Sequence, residues 1–329
     1  MKRLKRFAVS TLLILLIFSS CRGNERITKS EFALDTVVTL NLYSRKDEWI
    51  IEPFFRYLRE LEGILDRYDE KSELRMVNEK AYSEEVVLSD VLFDVISKGF
   101  EIARETDGAF DIAIGPLVDL WQIGTRTSLP EGGDVERALS LSSWEYLDLD
   151  EEKHSIRFQK DGMSLDLGGI GKGYIASLLM EYLKENGVER ASLNLGGNIS
   201  LLGDGEHGKY WRIGIRRPED DRSDYVDVIE VSSGRNVSTS GGYERYSIFD
   251  DGKRYSHIIS PKTGYPVEGD LASVTVVSTD ASLADALSTA SYVVGSEGLE
   301  ELSEKFSVRI IALKGDQSIE TYDATNASP

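Results

Sequence analysis

The feature that most constrains the fold of this 329-residue chain is the stretch from Ala191 to Ser278. Short apolar runs there are separated repeatedly by Gly, Asn and Asp, the punctuation of successive strands joined by tight turns. The pattern predicts an antiparallel sheet. Phe32 to Tyr43, rich in β-branched residues, reads as a further strand before it, and Val308 to Leu313 and Ser318 to Tyr322 as two more after it. Trp49 to Leu65 and Val91 to Ala103 carry apolar residues at helical spacing, and Ile170 to Glu185 and Asp280 to Val294 also read as helices. Asn186-Gly187 supplies a stop for the third of these. Thr106-Asp107-Gly108 breaks the chain, and Ala109 to Trp121 follows as a mixed, glycine-punctuated segment. Strands mixed with separated helices, without a regular βαβ alternation, predict an α+β domain with a mostly antiparallel sheet and flanking helices.

Composition narrows the functional classes. With 41% hydrophobic and 29% charged residues the chain is globular in character, and it contains no internal repeat or low-complexity linker. Its 57 acidic residues against 38 basic ones give a net charge of -19. A protein that neutralises phosphate backbones carries the opposite sign, so nucleic acid is not an expected partner.

The first 21 residues read as an export signal. Lys2, Arg3, Lys5 and Arg6 form a basic start, and Phe7 to Phe18 an apolar stretch too short for a bilayer span of roughly 20 residues. Ser19-Ser20-Cys21 follows, and Cys21 is the only cysteine, so no internal disulfide is possible. The placement resembles a bacterial lipobox, with Cys21 acylated as the mature N-terminus. An ordinary secretory signal with an incidental cysteine is the alternative. The expected organisation is a signal at 1–20, a tether at 21–31, a domain over 32–322 and a polar tail at 323–329.

Four segments carry possible chemistry. Asp166 to Tyr174 (DLGGIGKGY) lies between a strand and a helix, where free N–H groups face an anion and Lys172 can neutralise it. It is neither a P-loop nor a dinucleotide fingerprint, and a purely structural turn is the bland alternative. Asp285 and Thr289, four residues apart on one helix face, offer a carboxylate and a hydroxyl to one hard cation such as Mg²⁺; helix capping and packing would explain them as well. His257, before a Pro/Gly turn, suits a general base near neutral pH or a structural hydrogen bond. Thr106-Asp107-Gly108-Ala109-Phe110-Asp111, followed by Gly115 to Trp121, suits a pocket for a flat, polar ring system, or equally a turn with a core Phe and Trp.

In order, these segments resemble the ApbE-type FAD:protein FMN transferase family from about Phe32 to Tyr322. The resemblance is carried by Tyr68 to Leu74, Gly108 to Asp111, Asp166 to Tyr174, Leu195 to Asn198, Ser238 to Gly241, His257 to Val267, and Ala284-Asp285-Ala286 with Thr289. It implies a single, T-fold-related catalytic domain. It also implies Mg²⁺ held by the side chains of Asp285 and Thr289 and the carbonyl of Gly169, where most members have alanine. Leu34, Tyr68, Ala109, Phe110, Asp111, Asp166, Lys172 and Ile259 would line the FAD site, with Tyr68 stacking on the isoalloxazine. Leu34-Asp35-Thr36 stands where Met-Gly-Thr is commoner, and Ser177 where many members have Asp.

The implied reaction cleaves FAD and attaches FMN through a phosphoester to a Thr or Ser of another protein, releasing AMP, with His257 as base. The implied acceptors carry segments like Asp-x-x-Ser/Thr-Gly-Ala-Ser/Thr in membrane redox subunits. A lipid anchor would place the enzyme at the same bacterial membrane, on its periplasmic side. An FAD pyrophosphatase, in which water replaces the hydroxyl, and a non-catalytic flavin-binding lipoprotein are the rival expectations.

Overall fold

The computed structural model describes residues 26–205, 208–218 and 225–325. The export segment, Cys21 and the last four residues of the tail lie outside the described residues.

The chain opens with a hairpin, β1 (Ile27–Ala33) and β2 (Thr36–Leu42), paired from Ile27↔Leu42 to Ala33↔Thr36. This corrects the single strand expected over Phe32 to Tyr43, and it places residues 27–31 in the sheet rather than in a tether. The two-residue turn is Leu34-Asp35, both left-handed at φ 53° and 55°. Turns of this hand favour Asn-Gly or Asp-Gly, so a Leu-Asp pair gives no hairpin signal in the sequence. A two-turn 3₁₀ segment (Arg45–Ile50) leads into α1 (Ile51–Leu65), whose Phe54, Phe55, Leu58, Leu61 and Leu65 form one buried face. Removing either phenylalanine ring would cost about 3–5 kcal/mol.

Then come α2 (Glu73–Lys80), β3 (Val86–Val87), α3 (Asp90–Glu105), α4 (Gly115–Trp121), α5 (Gly132–Ser140), β4 (Leu147–Asp150) and β5 (Ser155–Phe158). The strands β3, β5 and β4 make a small separate sheet. The Ser72 and Ser89 side chains cap α2 and α3 by accepting N–H donors of their first turns. The remainder is α6 (Gly171–Glu185), β6 (Ala191–Leu195), β7 (Asn198–Leu202), β8 (Tyr210–Arg216), β9 (Tyr225–Ser232), β10 (Asn236–Gly241), β11 (Tyr246–Ile248), β12 (Arg254–Ser256), β13 (Leu271–Ser278), α7 (Ala281–Val294), α8 (Leu299–Phe306), β14 (Arg309–Lys314) and β15 (Ile319–Asp323).

One eight-stranded sheet organises the molecule, in the order β1-β2-β6-β7-β10-β13-β14-β15, with every neighbouring pair antiparallel. The expected α+β class with a mostly antiparallel sheet and flanking helices is what the chain adopts. Strand alternation sends Leu193, Leu195, Val274 and Val276 into the main core with α1, α6 and α7. The other face, through Leu201, Val237, Val277 and Ile311, packs under Trp211, Ile215, Ile229 and Val231 of the β8–β9 hairpin. The helices α6 and α7 approach so closely that a Cβ on Gly173 would lie 2.2 Å from the Ala281 carbonyl oxygen. Only glycine fits there. That contact, at the first turns of both helices, fixes where Asp285 stands.

Candidate active site

A cavity of about 1110 Å³ opens between the β1–β2 turn, the glycine-rich loop before α6, the first half of α7 and the β8–β9 hairpin. All eleven residues that the resemblance assigns to FAD or metal line it, from Leu34 and Tyr68 at one end to Ile259, Asp285 and Thr289. His257 joins them on the same wall.

The inner end is polar and buried. Asp285, only 4% exposed, accepts the Gly173 N–H at 2.9 Å and the Ser238 hydroxyl at 3.1 Å. Among the described residues its sole ion pair is with Lys172, whose Nζ stands 4.0 Å away. Thr289, one turn further along α7, has its hydroxyl 3.3 Å from that of Ser240, and a Cβ on Gly169 would lie 3.5 Å from it. Asp285, Thr289 and Gly169 therefore meet, as the helical spacing predicted for the first two. All the donors here are oxygens, and the buried carboxylate has little cationic compensation. Such a set fits a hard divalent cation. Among the described residues no three His, Cys, Asp or Glu side chains gather to hold a metal by themselves.

The loop before α6 is tied down from both sides. Asp166 accepts Arg67 Nη1 at 2.7 Å through one oxygen and the Gly168 N–H at 2.8 Å through the other. Lys172 Nζ donates to the Gly168 carbonyl at 3.3 Å. The N-terminus of α6 thus faces the cavity with an ammonium beside it, a setting for anionic phosphate.

His257 is open to the cavity but enclosed by protein around its rim. Desolvation, and then the charges of Lys172 and Arg245, lower its pKa to about 4, against the opposing pull of the Arg245 carbonyl. Its Nδ1 lies 3.1 Å from that carbonyl, which can only accept, so Nδ1 carries the proton. Nε2 is left with the lone pair. The ring is a neutral base across the physiological range.

Asp111, which lines the cavity, also braces the backbone around it. Both its oxygens accept backbone N–H donors, Ala113 at 2.8 Å and Trp144 at 2.9 Å, and burial raises its pKa to about 6. It shapes the Ala109–Asp111 wall. Trp121 is a core residue: it is buried with Phe249, donates to the Gly264 carbonyl at 2.7 Å and does not line the cavity. The fourth segment thus divides into a wall and a core.

The ApbE family model matches residues 34–312. This chain belongs to the ApbE family. It is 35% identical over 298 residues to an FAD:protein FMN transferase of Klebsiella pneumoniae, covering 90% of this chain and 92% of that one. To the enzyme of the same name from Treponema pallidum it is 32% identical over 301 residues, covering 84% and 82%. Among solved structures, the ApbE protein of Thermotoga maritima superposes with a TM-score of 0.82 at 30% identity, covering 91% of this chain and 97% of that chain. The Vibrio cholerae flavin transferase does so with 0.80 at 27% identity and the same coverage.

Sequence reasoning missed several residues of this ApbE-family site. Arg67, buried at 9% exposure, lies in the polar run Arg67-Tyr68-Asp69-Glu70-Lys71, where nothing marks one cation as internal. Glu62 accepts the Leu34 N–H at 2.6 Å and pins the hairpin turn to α1. Ser238, Ser240 and Asn198 fall in segments that carried the resemblance, but only folding shows that they surround Asp285 and Thr289.

Proposed function

We infer that this chain is an FAD:protein FMN transferase that breaks the FAD pyrophosphate and joins FMN to a Thr or Ser hydroxyl of an acceptor protein. The observation that carries the reading is the convergence on one cavity of a phosphate end (Asp285, Thr289, Lys172 and the α6 N-terminus) with Tyr68 and His257. An exposed ring at the lip suits stacking on a flavin, and the buried end suits a pyrophosphate. In the reaction the acceptor oxygen forms a bond to the FMN-side phosphorus, the bond to the AMP phosphate breaks, and the hydroxyl proton passes to Nε2 of His257.

The oxygen donors of Asp285, Thr289 and Gly169 would hold Mg²⁺, which when bound would offset the charge developing on the departing AMP. Lys172 and the first N–H groups of α6 hold the pyrophosphate in register. The wall of Ala109, Phe110 and Ile259, held by Asp111, excludes water from one side of the flavin. Acceptors with an Asp-x-x-Ser/Thr-Gly-Ala-Ser/Thr-like segment in membrane redox subunits, and anchoring through acylated Cys21 on the periplasmic side of a bacterial membrane, belong to the same proposal. The sequence of residues 1–21 supports the anchoring.

The test is to incubate the protein with FAD, Mg²⁺ and such an acceptor, then follow AMP release and the flavin fluorescence of the acceptor band after denaturing electrophoresis. A fluorescent band with matching AMP is expected. AMP release with a dark band would identify a pyrophosphatase instead, and no AMP would reduce the protein to a flavin binder. Cys21→Ala should move the protein from the membrane fraction to the soluble one; retention at the membrane would sink the anchor.

A further inference from the structure

Arg67 follows the C-cap of α1 and is an internal cation in an acidic protein. Its guanidinium forks: Nη1 donates to Asp166 Oδ2 at 2.7 Å and Nη2 to Asp119 Oδ2 at 2.8 Å. Its Cζ also lies 5.4 Å from the centre of the Tyr68 ring, close enough for a cation–π contact. The chain of contacts does not stop there. Asp166 holds the Gly168 N–H, the Gly168 carbonyl accepts Lys172, and Lys172 stands by Asp285. Arg67, Tyr68, Asp166, Lys172 and Asp285 all line the cavity. One side chain therefore ties the exposed lip to the buried phosphate end.

We propose that Arg67 is a positioning residue for FAD, setting the separation between the ring-stacking lip at Tyr68 and the phosphate-binding loop at Asp166–Lys172. The inference rests on the flavin-site reading above. A dinucleotide held at both ends binds well only if the two subsites are fixed at the right distance before it arrives. A planar fork fixes two carboxylates and a ring at once. A lysine, with one point charge on a flexible stem, holds one of them.

The experiment measures KM for FAD, kcat and Tm of the full chain for Arg67→Lys, Arg67→Met and Tyr68→Leu, and for the Arg67→Lys/Tyr68→Leu double variant. Arg67→Lys should raise KM for FAD about tenfold while kcat changes by less than about threefold, the signature of lost ligand placement rather than lost chemistry. In the Tyr68→Leu background the same change should raise KM only about twofold, because the lip it orients is already gone. A fall in Tm with KM unchanged in Arg67→Lys would overturn the proposal, leaving a structural ion pair. Fully multiplicative effects in the double variant would also overturn it. If Arg67→Met does not fold, Asp119→Asn, which loosens one arm of the fork, should still raise KM about threefold. Unchanged KM for Tyr68→Leu would reject the flavin-lip reading itself; a raised KM there with no effect of Arg67→Lys rejects only this inference.

Discussion

At the phosphate end of the cavity the central carboxylate is buried and already engaged, with half-buried partners around it. Asp285 holds an N–H and a hydroxyl, Thr289 meets Ser240, and glycine at 173 lets two helices touch. The lip is built the other way. Tyr68 is 68% exposed, and the facing turn keeps two non-glycine residues at positive φ, held by Glu62 on one side and by Arg245, which donates to the Asp35 carbonyl at 3.1 Å, on the other. The contrast follows the work each end does. Charge that develops during phosphoryl transfer is best met by dipoles that need not reorganise, which requires burial and full hydrogen bonding. A lip that admits a flavin and then an acceptor protein needs open surface.

That division can be broken at either end. The largest effect belongs to Asp285→Ala, which should lower transfer by about a thousandfold through loss of the carboxylate proposed to hold the metal. Near-normal AMP release would place the metal elsewhere. His257→Gln should lower kcat on the order of a hundredfold while KM for FAD holds, since the proposed base would meet the acceptor rather than the flavin. A wild-type kcat would remove His257 from the mechanism. The pH profile sharpens the same point. Because the ring sits at a pKa of about 4 rather than near 6.5, kcat/KM should stay level from pH 8 down to about pH 5 and fall only below that, as the imidazole takes a proton. A fall centred near 6.5 would show an ordinary, solvated histidine.

The stability consequence has a definite sign. The unfolded chain protonates this histidine more readily than the folded one, so His257 weakens the fold as pH drops from about 6.5 towards 4. The smallest effect lies at the lip. Asp35→Gly removes a side chain from a left-handed position and should raise stability by roughly 0.5–1 kcal/mol in thermal unfolding, offset in part by glycine's freedom in the unfolded chain. A large loss instead would mean that the Asp35 side chain holds the turn.

The fold was legible where local chemistry and tertiary context agree. The helix read over Asp280 to Val294 forms as α7, where the Asp280 side chain proves to be the cap, and Asn186-Gly187 ends α6 with Gly187 at φ 79°. The first hairpin was not legible. Its turn residues lack glycine, and two strands separated by two ordinary residues read as one. Helices α2, α5 and α8 were missed because each is eight or nine residues long, too short for periodicity to stand out.

By itself the sequence determined an acidic α+β domain, a glycine-rich loop leading a helix, and a carboxylate and hydroxyl one turn apart on another. These are properties of residues close in the chain, and local spacing encodes them. Only the tertiary structure decided that the two helices meet at Gly173 so that Asp285 opens on the α6 N-terminus. It also decided that Asp111 serves the backbone, that Trp121 is core, and that Arg67 joins lip to loop. Each of these depends on partners tens of residues away, whose approach is set by packing across the sheet rather than by any local pattern.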